Sequence, residues 1–414
     1  MKENITTEKC KVTVIDVLMG SGKTEWSIQQ INSNQFENIM YITPFLNEVD
    51  RILENTNRAF QQPINRGKGK LVALNELLAC QIDIASTHEL FKHLDENSKN
   101  AIKEGHYTLI LDEVLNVIEP FDVRTNDLQI LKDSSCITID KDGFVLWNET
   151  KKDYDTRYNE IKNLAENKSL ICVNNKLLLW RYPPEIFELF DEIYILTYLF
   201  EASILKSYFD LYKIQYEKKS IKYIDGAYRI VDYFIPDTSV FAEKINIYYG
   251  NYNENFRQKY NGLSKTWFNA RTNKQNIIQL QRNLYSYFRY ILHAKSDTIM
   301  WSTFKDFQSR LRGKGYSNGF ISFNCRSTNK HIDKYNLAYA VNVYIHPGIT
   351  QFFQQRNIEI NEELYALSEM LQWIWRSRIR KGENINIYIP SMRMRQLLKN
   401  WLDMSLEYQH DIAA

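Results

Sequence analysis

The chain has 414 residues, of which 44% are hydrophobic, 25% charged and 14% aromatic, and its formal net charge is +2. That length exceeds one ordinary core and points to two domains of about 200 residues each, while the near-neutral balance carries no overall signature of nucleic-acid binding. No apolar stretch is long enough to span a bilayer and residues 1–9 lack a signal-peptide core, which sets aside a membrane partner and places the protein in the cytoplasm; five dispersed cysteines (Cys10, Cys80, Cys136, Cys172, Cys325) without a Cys-x-x-Cys pair argue against structural zinc and a disulfide framework.

Residues 12–17 form a β-branched run that feeds Gly20, Ser21, Gly22, Lys23 and Thr24, and a helical pattern covers 24–33. A strand fixes such a loop, glycines let backbone amides approach phosphate oxygens, Lys23 reaches the β and γ phosphates, and the Thr24 hydroxyl joins a Mg2+ shell. Val17 stands where the full eight-residue pattern has glycine. Further strands are expected at 38–43 and 83–86, with a helix over 46–60. The next apolar run, 108–112, ends in Asp112 and Glu113 and reads as a buried parallel strand delivering two carboxylates to the edge where open α/β sheets bind ligands. Asp112 would hold Mg2+ and Glu113 would orient and deprotonate an attacking water. Alone, such a pair is ordinary strand-end chemistry. Following a strand–loop–helix unit of this kind, it marks a nucleoside-triphosphate site.

A fifth strand is expected at 192–197. The 85 residues separating it from Asp112 (197 − 112) exceed any single crossover, so an insertion is expected at about 120–180. It contains two β-prone runs around Lys141, Asp142 and Gly143, a hairpin signal, and a charged helical stretch over 151–168. This insertion is either a contact surface for nucleic acid or a partner, or a solvated decoration. Strands alternating with helices imply a parallel doubly wound sheet over 1–215. A second α/β domain, 216–414, opens near the charged stretch 217–222. It has strands at 298–302, 319–323 and 385–390, a helix from Phe304 and another over 363–378. From Gln372 to Asn400 the charged residues are Arg376, Arg378, Arg380, Lys381, Arg393, Arg395 and Lys399 against Glu383 alone.

This ordered set of motifs resembles the superfamily 2 helicases, the DEAD-like motors, in the divergent form of phages and mobile elements. The resemblance covers about residues 12–400 and implies two RecA-like lobes. In that family the loop motif lacks the first glycine, which accommodates Val17. Thr43 and Pro44 look like the motif after the second strand, and Thr87 and His88 like the next, both of which contact nucleic-acid backbone. Asp112 and Glu113 match the Asp-Glu-x-x box, with Leu115 in place of its polar fourth residue. Thr197 stands in the coupling motif, and Thr303 in a strand-end motif that faces nucleic acid. Asn324, Arg326 and Thr328 fall among the later motor motifs. Gln372 and Arg376 are in register with the arginine-finger helix Gln-x-x-Gly-Arg-x-x-Arg; Trp375 replaces its glycine and Ile379 its last arginine, leaving that role to Arg378 or Arg380. Spaced four apart, Arg376 and Arg380 would share a helix face.

The resemblance implies an ATP- and Mg2+-using helicase that binds single-stranded or forked DNA, or RNA, in a bacterial host cell. It would translocate or unwind with replication partner proteins during phage or mobile-element replication or recombination. Two other readings stand beside it: a decayed motor that serves as a nucleic-acid- or partner-binding protein, and a helicase of a defence system.

Overall fold

In the computed structural model, which describes residues 11–33, 36–151, 158–256, 260–324 and 329–403, the chain divides into two units. The first comprises residues through Asp16, Gly22–Tyr233 and Ile345–Ile360; the second comprises Val17–Ser21, Phe234–Tyr344 and the residues from Asn361 onward. The expected break at 215/216 falls inside the first unit's sheet. Among the described residues no helix is long and apolar enough to cross a membrane.

The first unit is built on β1 (Lys11–Asp16), β2 (Asn38–Thr43), β3 (Ile84–Thr87) and β4 (Tyr107–Asp112). Next come β5 (Ile118–Phe121), β6 (Ile137–Ile139), β7 (Val145–Trp147), β8 (Leu170–Val173) and β9 (Leu177–Arg181). β10 (Glu192–Thr197), β11 (Tyr216–Ile224) and β12 (Ala227–Asp232) complete it. The main sheet has the order β12-β11-β1-β10-β4-β2-β3, and every pair is parallel except β11 with β12. Its central strands are continuously apolar because helices cover both faces; β4 is buried from Tyr107 to Leu111. The strand periods expected at 38–43 and 192–197 match β2 and β10 residue for residue.

Residues 217–222, read as the opening of a second domain, lie instead in β11 of an edge hairpin. Asp225 and Gly226, both at positive φ (51° and 81°), supply its two-residue turn. β11 pairs on both sides, and its charge is met within the unit: Lys218 pairs with Glu201 (2.9 Å) and Lys219 with Asp232 (3.1 Å).

The insertion forms a separate small sheet, β5-β9-β8, beside the β6–β7 hairpin. Leu128, Leu131, Ile137, Val145, Ile161 and Leu170 make its own core. The helix expected over 151–168 is confined, among the described residues, to Asn159–Glu166; 152–157 lie outside them. A segment from far along the chain completes this module. Helix Pro347–Gln354 packs on it, with Gly348 against Leu177. Asn174 Nδ2 donates to Gln351 Oε1 (2.8 Å), Gln355 Nε2 donates to Asn174 Oδ1 (2.8 Å), and Arg356 reaches the Asp142 carbonyl (2.5 Å).

The second unit has β13 (Ile245–Ile247), β14 (Ile299–Ser302), β15 (Asn336–Tyr339) and β16 (Ile385–Tyr388) in the order β13-β16-β15-β14, all parallel. The strand expected at 319–323 does not form; Phe320 makes a single bridge to Trp301. The helix expected from Phe304 is reduced to two short turns, Lys305–Phe307 and Gln308–Leu311. Arg393, 2% exposed, ties this unit together: it pairs with Glu363 (2.8 Å) and donates to Asn342 Oδ1 (2.9 Å) and the Val343 carbonyl (2.7 Å). Removing this guanidinium leaves the buried Asn342 and Val343 acceptors without their donor, at a cost of about 1–3 kcal/mol. Arg393→Ala is therefore expected to lower the melting temperature of the full chain by several degrees, read by circular dichroism, whereas Lys399→Ala, on an exposed helix face, leaves it unchanged.

Candidate active site

β1 ends at Asp16, the loop carries Gly20 and Gly22 at φ 83° and 90°, and Gly22 caps the helix Lys23–Asn32 in a left-handed conformation. These two positions need glycine because L side chains rarely adopt that region. A second constraint bears on Gly22: a Cβ there would lie 2.3 Å from the Tyr228 ring. β12 holds that ring in place by a reciprocal amide pair, Gln29 Nε2 to the Tyr228 carbonyl (2.9 Å) and Tyr228 N–H to Gln29 Oε1 (2.8 Å). The helix N-terminus beyond the glycines presents amides and a positive dipole end, an arrangement suited to phosphate. Lys23 is buried, Thr24 half-buried and Ser21 exposed.

Two places along the sheet, β4 delivers Asp112 and Glu113 to the same carboxyl edge. The Glu113 N–H donates to the Leu196 carbonyl (3.0 Å), which holds this glutamate at φ 70°, a strained setting for a side chain with a Cβ. The Asp112 carboxyl is pushed up to about 7, chiefly by desolvation, with the charges of Glu113 and Glu48 adding and Lys23 opposing. It keeps some access to solvent all the same. Its donor chemistry suits Mg2+: the Asp112 carboxylate and the Thr24 hydroxyl are hard oxygen ligands, and a surplus of negative charge around Asp112 is what a bound cation would relieve.

Several expected residues sit elsewhere than the resemblance placed them. Thr43 is fully buried, with Oγ1 3.5 Å from Asp112 Oδ2, so it faces the carboxylate rather than an outer surface. Thr303 is likewise fully buried at the end of β14. Thr87 caps a short helical turn by accepting from Leu90 N–H (3.4 Å), while Pro44, Thr87 and His88 remain half-buried. Arg326 and Thr328 fall outside the described residues.

The helix expected to carry the arginines ends at Ile374. Trp375 packs edge-on against Phe241 (4.9 Å between ring centroids) and Trp401 (5.5 Å), and the Ser377 hydroxyl donates to the Ile374 carbonyl (2.7 Å). Arg376 and Arg380 therefore do not share a helical face. Gln372 is half-buried and Arg376 buried; Arg378 stacks on Tyr335 (4.0 Å) and donates to the Asn384 carbonyl (3.0 Å); Arg380 is exposed on a 3-10 turn, Arg378–Lys381.

Asp16 was not picked out by its pattern. Its carboxylate accepts from Leu199 N–H (2.8 Å) and Phe200 N–H (2.9 Å), fastening the turn after β10, where Thr197 ends the strand. Burial raises the Asp16 carboxyl, with the Phe200 amide and Lys23 opposing. An acid closing a buried strand just before a glycine loop was the available signal.

A family model described as the YonV C-terminal Rossmann-like domain matches residues 239–402, and one described as the YonV middle domain matches 118–180. The SPbeta prophage-derived uncharacterized protein YonV of Bacillus subtilis (strain 168) is 39% identical over 409 residues, covering 95% of this chain and 99% of that protein. Two solved structures share the fold at a TM-score of 0.50 each. One, titled as apo XPD, is 12% identical, with 94% of this chain and 95% of the other covered; the other, S. tokodaii Xpd4, is 10% identical, with 97% and 95% covered.

The Asp112 environment has a measurable consequence. An acid whose folded pKa is raised binds a proton that the unfolded chain has already lost, so its ionisation subtracts stability as pH climbs from about 4 to about 7, and the full cost persists above. Asp112→Asn, which cannot ionise, is expected to melt a few degrees above wild type at pH 8 in the absence of nucleotide and metal, and level with it at pH 4. A difference that stays constant across that range removes the desolvation account.

Proposed function

The chain belongs to the YonV family, and within it we propose a nucleic-acid-dependent ATPase of superfamily 2 helicase type, translocating on or unwinding DNA in the replication or recombination of a phage or mobile element. One observation carries the reading: a strand, a Gly-Ser-Gly-Lys-Thr loop and a helix share a parallel sheet edge with Asp112 and Glu113. The XPD-like fold and the prophage origin of the relative support the class and the setting.

In this reading the loop amides and Lys23 bind the triphosphate, and Thr24 with Asp112 holds Mg2+, which when bound supplies positive charge to the phosphate oxygens. Glu113, turned by its left-handed backbone, accepts the proton of the attacking water. Ionised Asp112 is the metal-binding form, so occupancy would rise with pH through about 7. Arg380, exposed on its turn, is the residue assigned to meet charge developing on the γ-phosphoryl group, a role worth about 10³–10⁵ in rate elsewhere; Arg376, Arg378 and Gln372 are assigned supporting roles in the same segment. Pro44, Thr87 and His88 are assigned to the nucleic-acid side; Thr43 and Thr303, both fully buried, are not.

The deciding experiment is ATP hydrolysis by the purified full chain with single-stranded, duplex and forked DNA and with RNA. Stimulation by at least one is expected, with Glu113→Gln lowering kcat by roughly 10²–10⁴ while ATP binding persists. Hydrolysis that no nucleic acid stimulates defeats the proposal; ATP binding without any turnover favours the decayed-motor reading instead.

A further inference from the structure

A cavity of about 410 Å³ lies in the second unit, between the residues that follow β13 and the helix Met392–Asp403 that follows β16. β13 and β16 are parallel neighbours, Ile247 opposite Ile387, so the chain leaves both strands at one sheet edge, the side on which open α/β sheets bind ligands. One wall is Tyr249, 61% exposed, with Asn253, 4% exposed. The other is a single helix face that presents Met392, Arg395, Gln396 and Lys399, and no acid is among the described lining residues.

Asn253 points to a ligand. Its Nδ2 donates to the Tyr248 carbonyl (2.7 Å), and since a carbonyl can only accept, this fixes which end of the amide is oxygen. Its Oδ1 is then left buried with no donor among the described residues. The wall carrying it is fixed in place: Tyr248 N–H donates to the Ile387 carbonyl (2.8 Å) and the Tyr388 hydroxyl to the Tyr252 carbonyl (2.8 Å). A fixed acceptor inside a cationic cavity beside an exposed ring is a set of complementary contacts for an N–H donor, an anion and a flat π-face presented together.

We propose that this cavity binds one nucleotide unit, with the base against Tyr249, an N–H of the base edge on Asn253 Oδ1, and the phosphate facing Lys399, next to the buried Arg395 guanidinium, whose Nη1 donates to the Ile389 carbonyl (2.6 Å). None of the lining residues belongs to the phosphate loop, so the proposal does not require ATP hydrolysis. A free nucleotide and a nucleotide within a single strand present the same chemistry, and a volume near 410 Å³ accommodates either.

The test is equilibrium binding to the full chain in a Lys23→Ala background, which removes the loop lysine from competition. The probes are labelled single-stranded DNA and RNA 20-mers and free AMP and CMP. Tyr249→Ala and Lys399→Glu both change exposed side chains and are expected to fold as wild type by circular dichroism. Each is expected to weaken at least one probe, and the pair together by about tenfold or more, the range of one base stack plus one phosphate contact. Loss confined to the 20-mers identifies a strand subsite, and loss that includes AMP or CMP identifies a free-nucleotide site. Absence of binding by the unmutated cavity overturns the proposal. So does unchanged binding in the double variant, or a loss with Lys399→Glu that Tyr249→Ala does not share. Binding of a fluorescent ATP analogue to the chain with Lys23 intact, measured in parallel, reports on the ATPase proposal separately.

Discussion

The first unit depends on the register of β10 between its two parallel neighbours. Thr197 lies opposite Asp16 on β1 and Leu196 opposite Asp112 on β4. The Leu196 carbonyl then fixes Glu113, and the amides just past Thr197 fix Asp16. Backbone groups alternate along a strand as side chains do, so a slip of β10 by one residue would turn the Leu196 carbonyl away from Glu113 and carry the Leu199 and Phe200 amides off Asp16. Ile193 and Ile195 on one face and Leu196 on the other are all fully buried, and the packing they would lose makes that slip costly. Packing energy far from any ligand thus sets the aim of the polar residues at the edge.

The same edge gathers Asp16, Glu48, Asp112 and Glu113 near a single buried lysine. Such a cluster is unfavourable on its own and persists because the surrounding sheet over-determines it. The strained backbone of Glu113 belongs to the same account. Stability is spent locally to keep an acceptor and a cation-binding carboxylate in place before any ligand arrives, which reduces the reorganisation that binding would otherwise require.

Much of this was legible from residues alone where one period dominates. The buried parallel strands, the glycine loop and the Asp-Glu pair stand out because covered strands are apolar without interruption. The β6–β7 hairpin was legible from its Lys-Asp-Gly turn, and the β11–β12 hairpin had an equally good signal in Asp225-Gly226, overshadowed by the charge of 217–222. The helix end at Trp375 was not legible. Nothing local stops a helix there; a tertiary aromatic cluster with Phe241 and Trp401 does. Nor could spacing separate Arg393 and Arg395, which are buried and hydrogen-bonded, from Arg380 and Lys399, which are exposed, since all carry the same charge in the same basic run. Thr43 and Thr303 show the converse: a motif's residue type can match while its side chain points inward.

The passage of Ile345–Ile360 back onto the first unit bears on how this protein is made. The inserted sheet emerges from the ribosome long before the helix that covers it, so during synthesis Leu177 and its neighbours wait uncovered for more than a third of the chain to follow. A fragment cut after Tyr233 would keep that surface bare for good. The two units are therefore poor candidates for separate expression, and a truncation that looks natural along the sequence severs a packed interface within a single unit.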